Sequence, residues 1–166
     1  SDKEMIVAVD DNPNSPFVNH FYCVWNDVAS HQLLLRKSTD KLATFLSPVV
    51  VSNNTCLGAN VQIGPDGEVY VASVDHTLFP GSDGSIFFQY SSDGGQTFTE
   101  MPVTFQYSCL SNSIFPITEF GGIRMNRFPS LGVDKSCGEH RGRIYVAFMS
   151  GSYGDYSDIN VMYSDN

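Results

Sequence analysis

Three kinds of segment recur in fixed order along this 166-residue chain, and that repetition restricts the fold more than any other feature. Each repeat opens with an apolar run that ends at an aspartate: Ile6–Asp10, Val61–Asp66 and Pro129–Asp134. A run centred on tyrosine follows, namely Phe21-Tyr22-Cys23-Val24-Trp25, Val69-Tyr70-Val71-Ala72-Ser73 and Ile144-Tyr145-Val146-Ala147-Phe148. Each repeat then reaches a serine-led polar segment: Ser38–Phe45, Ser91–Phe98, and a third copy opening at Tyr163-Ser164-Asp165-Asn166. Successive copies lie roughly 50 and roughly 75 residues apart. The longer interval places an insertion at about 101–123, so the expected units are 1–52, 53–123 and an incomplete 124–166.

Between these landmarks the chain alternates short β-branched or aromatic runs with clusters of Gly, Pro, Asn and Asp. Expected strands include Met5–Val9, Leu33–Arg36, Pro48–Val51, Ile86–Tyr90 and Asn160–Tyr163, and no segment reads as a capped amphipathic helix. An all-β chain built from units of about 50 residues with about four strands each has the pattern of a β-propeller. The expected architecture is therefore a partial ring of about three four-stranded blades. Closed rings use about 4–8 blades. The rest of a longer chain, or a second copy, is expected to complete this one.

The serine-led segments explain themselves as tight hairpins. In Ser91-Ser92-Asp93-Gly94-Gly95-Gln96-Thr97-Phe98, Asp93 can accept hydrogen bonds from backbone N–H groups, and the two glycines supply positive φ. Ser91 and Thr97 can tie the strand ends while Phe98 packs inward. The upstream copy keeps Ser38, Asp40, Thr44 and Phe45 but has Leu42 where Gly95 stands, so its turn is expected to differ. Ser164 begins the third copy. This S-x-D-x-G-x-T-[W/F] pattern resembles the Asp box, or BNR repeat, of sialidase-like propellers. The resemblance implies a structural role for the boxes, on the rim of the ring.

The same resemblance implies two kinds of activity. Asp-box propellers serve in recognition, and a secreted or cell-surface module that binds glycan or protein is the leading expectation. The alternative is part of an exo-sialidase or related glycoside hydrolase; a purely structural or assembly propeller is the third reading. Sialidases use a tyrosine nucleophile, and the family holds its substrate carboxylate with arginines. Asn126-Arg127-Phe128-Pro129 resembles the arginine motif of that family, with Asn126 in place of its aromatic residue. Arg127 would then grip a carboxylate bidentately. Asp155 and Asp158 are expected in a downstream loop, as candidates for an acid/base role or for weak Ca²⁺ ligation.

A net charge of −9 and a pI near 4.6 argue against nucleic acid or an anionic membrane as partner. No apolar run reaches the ~20 residues of a membrane-spanning helix. Four dispersed cysteines lack zinc-type spacing. Cys23 reads as a buried thiol, and Cys109 with Cys137 as the expected disulfide, which would fit an extracellular location.

Overall fold

A computed structural model of the chain describes residues 2–8, 11–75, 84–101, 105–107, 116–117, 123–124, 128–152 and 155–164. Among the described residues it is all-β, with no helix. The first sheet is a meander of β1 (Asp2–Ala8), β2 (Phe21–Asp27), β3 (Gln32–Ser38) and β4 (Val49–Ser52). The second repeats that order with β5 (Cys56–Ile63), β6 (Val69–Asp75), β7 (Gly84–Ser91) and β8 (Thr99–Glu100). β9 (Phe105–Tyr107) pairs with the start of β7, so residues inside the expected insertion lengthen this sheet's outer edge. β10 (Pro116–Ile117) and β11 (Ile123–Arg124) form a separate ribbon. The third large sheet is β12 (Ser130–Val133), β13 (Ile144–Ser152) and β14 (Asp155–Ser164).

All three large sheets share one register. The box serine lies opposite the residue that precedes the repeat tyrosine: Ser38 faces Phe21, Ser91 faces Val69 and Ser164 faces Ile144. On the other side of that strand, Val7, Gln62 and Gly132 pair with Tyr22, Tyr70 and Tyr145. Because side chains alternate with period two, a one-residue slip in any sheet would reverse its faces. The shared register therefore assigns each residue an equivalent in the other two sheets. It extends to an irregularity: Lys3–Glu4 and Gly58–Ala59 are both inserted opposite a single residue of the next strand.

The sheets stack face to face, with the second between the first and third. Tyr22, Val24, Leu33 and Leu35 of the first sheet form one core with Val61, Ile63, Val69 and Val71 of the second. Tyr70, Ala72, Val74 and Ile86, from the second sheet's other face, form another core with Leu131, Ile144, Val146 and Phe148. This arrangement explains the burial patterns. β2 alternates between buried and half-buried residues, whereas Val69–Val74 of β6 is buried at every position. A strand covered on both faces reads as a continuous apolar run. Gly58 lies on this second core at φ 62°, and the Phe128 ring occupies the place a Cβ would take.

Candidate functional site

The two complete serine-led hairpins share the core of one hydrogen-bond network. In the second, Ser91 Oγ donates to Asp93 Oδ1 (2.7 Å) and accepts from Gly95 N (2.9 Å). Asp93 Oδ1 also accepts from Gln96 N and Thr97 N, while Oδ2 accepts from Thr97 Oγ1 at 2.6 Å. In the first, Ser38 Oγ donates to Asp40 Oδ1 (2.8 Å) and accepts from Leu42 N (2.8 Å). Asp40 then accepts from Thr44 N (2.9 Å) and Thr44 Oγ1 (2.6 Å).

The expected difference between these turns is not found. Lys41 and Leu42 adopt φ of 57° and 70°, beside 67° and 74° for Gly94 and Gly95. A non-glycine residue in that region costs about 1–2 kcal/mol, so the pair costs about 2–4 kcal/mol. Four hydrogen bonds converging on one serine and one aspartate outweigh it, each being worth about 1 kcal/mol or more when a charged group takes part. The same bonds lower both carboxyl pKa values. Asp40 falls to about 2, through the Thr44 hydroxyl first and then the Thr44 N–H and Ser38. For Asp93, partial burial acts upward, but bonds from Thr97, Ser91 and Gln96 hold the group well below the carboxylate range.

The second hairpin also closes the gap between the first and second sheets. Gly95 lies over Tyr22 and Leu35, so close that a Cβ there would be 3.0 Å from Tyr22 Cε1. Lys37 Nζ donates to the Gly94 carbonyl at 2.7 Å, Phe17 packs on Gly94, and Phe98 joins the first core. Lys37 and Phe17 belong to no motif, and only the stacking order brings them here. The first hairpin has no sheet beneath it among the described residues, and its Leu42, Phe45 and Leu46 are 41–47% exposed.

Between the second and third sheets lies a cleft with a cavity of about 480 Å³. Tyr70, Phe88, Tyr90 and Met101 line one wall, Ile144 and Met162 the other. Tyr70 packs against both neighbouring rings, with centroids 5.8 Å from Phe88 and 5.5 Å from Tyr90. Such an apolar, aromatic cleft suits an apolar or flat-faced ligand group, and Glu68 supplies the one charged side chain among its lining residues.

Beside the cleft, the sheets are tied through their first turns. Arg141 grips Asp66 bidentately (2.7 and 2.8 Å) and also donates to the Pro65 carbonyl, which accepts from Asn12 as well. Arg143 packs over the Tyr163 ring, 4.7 Å from its centroid. Arg127 itself lies outside the described residues.

The two candidate acids are placed differently from expectation. Asp155 and Asp158 belong to β14, pairing with Ser152 and Ser150, rather than to a loop. The strand starts early because β13 and β14 run on to Ser152 and from Asp155, so only Tyr153 and Gly154 separate them. Asp158 is exposed there. Among the described residues no group of three His, Cys, Asp or Glu side chains could hold a metal ion. Cys137 is an exposed thiol and Cys109, its expected partner, lies outside the described residues. The buried thiol is Cys56, pushed up to about 11 by burial, whereas Cys23 is half-buried. No helix among the described residues is long and apolar enough to cross a membrane.

No protein-family model matches the chain, and no curated protein sequence resembles it closely enough to count as a relative.

Proposed function

We propose that this chain is a segment of an Asp-box β-propeller of the sialidase-like kind, acting outside the cell in recognition of a glycan or protein. The observation that carries the reading is the shared register of the three stacked sheets, in which Ser38, Ser91 and Ser164 hold one position. Stacked four-stranded meanders with a common hairpin device are what a ring of blades requires. In this reading the hairpins are scaffold, and the cleft beside Tyr70 and Tyr90 belongs to the packing between blades.

Recognition is favoured over hydrolysis by the state of the charged groups. Arg141 is engaged by Asp66, and Asp158 stands exposed on a strand. The test pairs a glycan array with a fluorogenic sialoside. Binding without turnover is the expected result. Turnover abolished by Arg127→Ala would instead establish the glycosidase reading, and neither binding nor turnover would leave the assembly role.

A further inference from the structure

The two ends of the three-sheet stack are the two halves of an interface that the chain already makes inside itself. Through the common register, Tyr145, Ala147, Ile159 and Val161 of the third sheet hold the positions of Tyr22, Val24, Leu33 and Leu35 in the first. Those four residues of the first sheet are fully buried in the core shared with the second. On the third sheet, Tyr145 and Ala147 are half-buried, and Ile159 and Val161 are exposed. At the opposite end, Phe21 and Cys23 stand where Val69 and Val71 of the second sheet meet the first core. Both are half-buried, and the adjoining hairpin exposes Leu42 and Phe45 where the second hairpin seats Gly95 and Phe98. Among the described residues, one end is a floor without a hairpin and the other a hairpin without a floor.

We infer that a second copy of this chain joins these ends, the first sheet and its Ser38–Phe45 hairpin stacking on the outer face of the other copy's third sheet. The contact repeats the one between the first and second sheets, where Gly95 lies over Tyr22 and Leu35. Leu42, whose φ of 70° matches the 74° of Gly95, then lies over Tyr145 and Val161. The room its side chain needs comes from smaller neighbours, since Val161 stands for Leu35 and Ala147 for Val24. Floor and hairpin lie at opposite ends of one stack, so the contact is head-to-tail and must either close or run on. Two copies bring six large sheets, within the ~4–8 of closed rings, and closure makes the contact twice. Each copy holds both of its cores within itself, so pairing adds to a folded chain and depends on concentration. A net charge of −9 on each copy opposes pairing, and added salt relieves that opposition. The inference rests on the propeller reading above, yet it concerns only the ends of the stack.

The test is light scattering with sedimentation velocity on the 166-residue chain over a dilution series. At high concentration the expected mass is twice the 18.3 kDa of one chain, falling to one chain on dilution and favoured by salt. Leu42→Glu and Val161→Lys each set a lone charge in the contact and weaken pairing by about tenfold or more. Mixing the two variants restores it, because one contact of the mixed pair is unaltered and the other sets Glu against Lys. Both positions are exposed in the single copy, so each variant keeps the parent's urea midpoint at dilution. A midpoint well below the parent's would mean that the face is covered within one copy, and it overturns the inference. So does a chain that stays single at every concentration, which would leave the face to a different polypeptide. Pairing lost with Val161→Lys but kept with Leu42→Glu would mean a floor-to-floor contact, and a mass climbing past two copies an open assembly; either overturns the closed pair. The glycan array reads ligand binding whatever the mass, so the recognition reading and this one fall separately.

Discussion

Lys41→Gly and Gly95→Ala are opposite changes at neighbouring steps of one hairpin geometry, and their effects should have opposite signs. Lys41 is exposed and holds φ at 57°. Relief of that conformation is worth about 1–2 kcal/mol, and the freedom glycine adds to the unfolded chain takes back about 0.5–1 kcal/mol. The net is a gain of about 0.5–1 kcal/mol, or about 2 °C in Tm for a chain of this size. Gly95→Ala imposes the left-handed cost at φ 74° and also sets a methyl group 3.0 Å from Tyr22 Cε1 and 3.4 Å from Leu35 Cδ2. Both neighbours are fully buried and cannot retreat into solvent. Crowding of a packed core costs about 1–3 kcal/mol, so the total is about 2–5 kcal/mol and the fall in Tm about 5–15 °C. Leu42→Ala is the control: it keeps the strain and trims a side chain that is 45% exposed, for less than about 1 kcal/mol. Calorimetry with urea unfolding measures all three. Equal shifts for Gly95→Ala and Leu42→Ala, or destabilisation by Lys41→Gly, would refute the reasoning.

Acid should weaken the hairpins. Asp40 and Asp93 are depressed in the folded state, so their stabilisation is present above the ordinary value of 3.8 and is lost as pH falls, through about 2 for Asp40 and lower still for Asp93. Tm measured from pH 6 to 2 should fall less steeply in Asp40→Asn and Asp93→Asn than in the parent, and parallel curves would argue against this origin. Native thiol labelling with peptide mapping should modify exposed Cys137 rapidly and Cys56 only as the fold opens, because burial keeps the Cys56 thiolate scarce. Gly58→Ala should cost more than Gly95→Ala, since Phe128 already fills the space and φ is positive there too; a Tm within a degree or so of the parent's would contradict that packing.

The parts legible in the sequence were those written locally. Tyr22, Tyr70 and Tyr145 marked the second strand of each large sheet, and the Ser/Asp/Thr spacing marked both complete hairpins, because a hairpin satisfies its own backbone within eight residues. Residue-type rules failed at Leu42. Intrinsic φ preference is a weak term beside a network in which Ser38 and Asp40 bind three nearby groups. Contacts between sheets were not legible. Lys37 reaching Gly94, Asn12 and Arg141 sharing the Pro65 carbonyl, and Phe128 on Gly58 join residues 53–76 positions apart, or 70 in the last case. They depend on which sheet stacks on which, and periodicity within a strand carries no record of that. The acids of β14 were misplaced for a related reason, since strand pairing with β13 continues beyond the apolar run that marked its core.

Ile86 and Ile159 hold one position in two equivalent sheets, yet the first is 2% exposed and the second 71%. Their neighbours diverge in the same way. Ile86 is covered by the third sheet, whereas Ile159, Val161 and Tyr163 form an apolar row at 61–71% exposure. Lysine at each position therefore reports on cover rather than on local propensity. Ile86→Lys buries a charge with no partner at hand, which is among the few changes that exceed about 4 kcal/mol and should unfold the chain. Ile159→Lys sets the charge in water, stays within about 0.5 kcal/mol of the parent, and lowers self-association by interrupting the row. Urea titration and light scattering on the two variants decide the point. If Ile159→Lys were as damaging as Ile86→Lys, the outer face of the third sheet would have to be covered in solution, and the three-sheet stack would be only part of the folded unit.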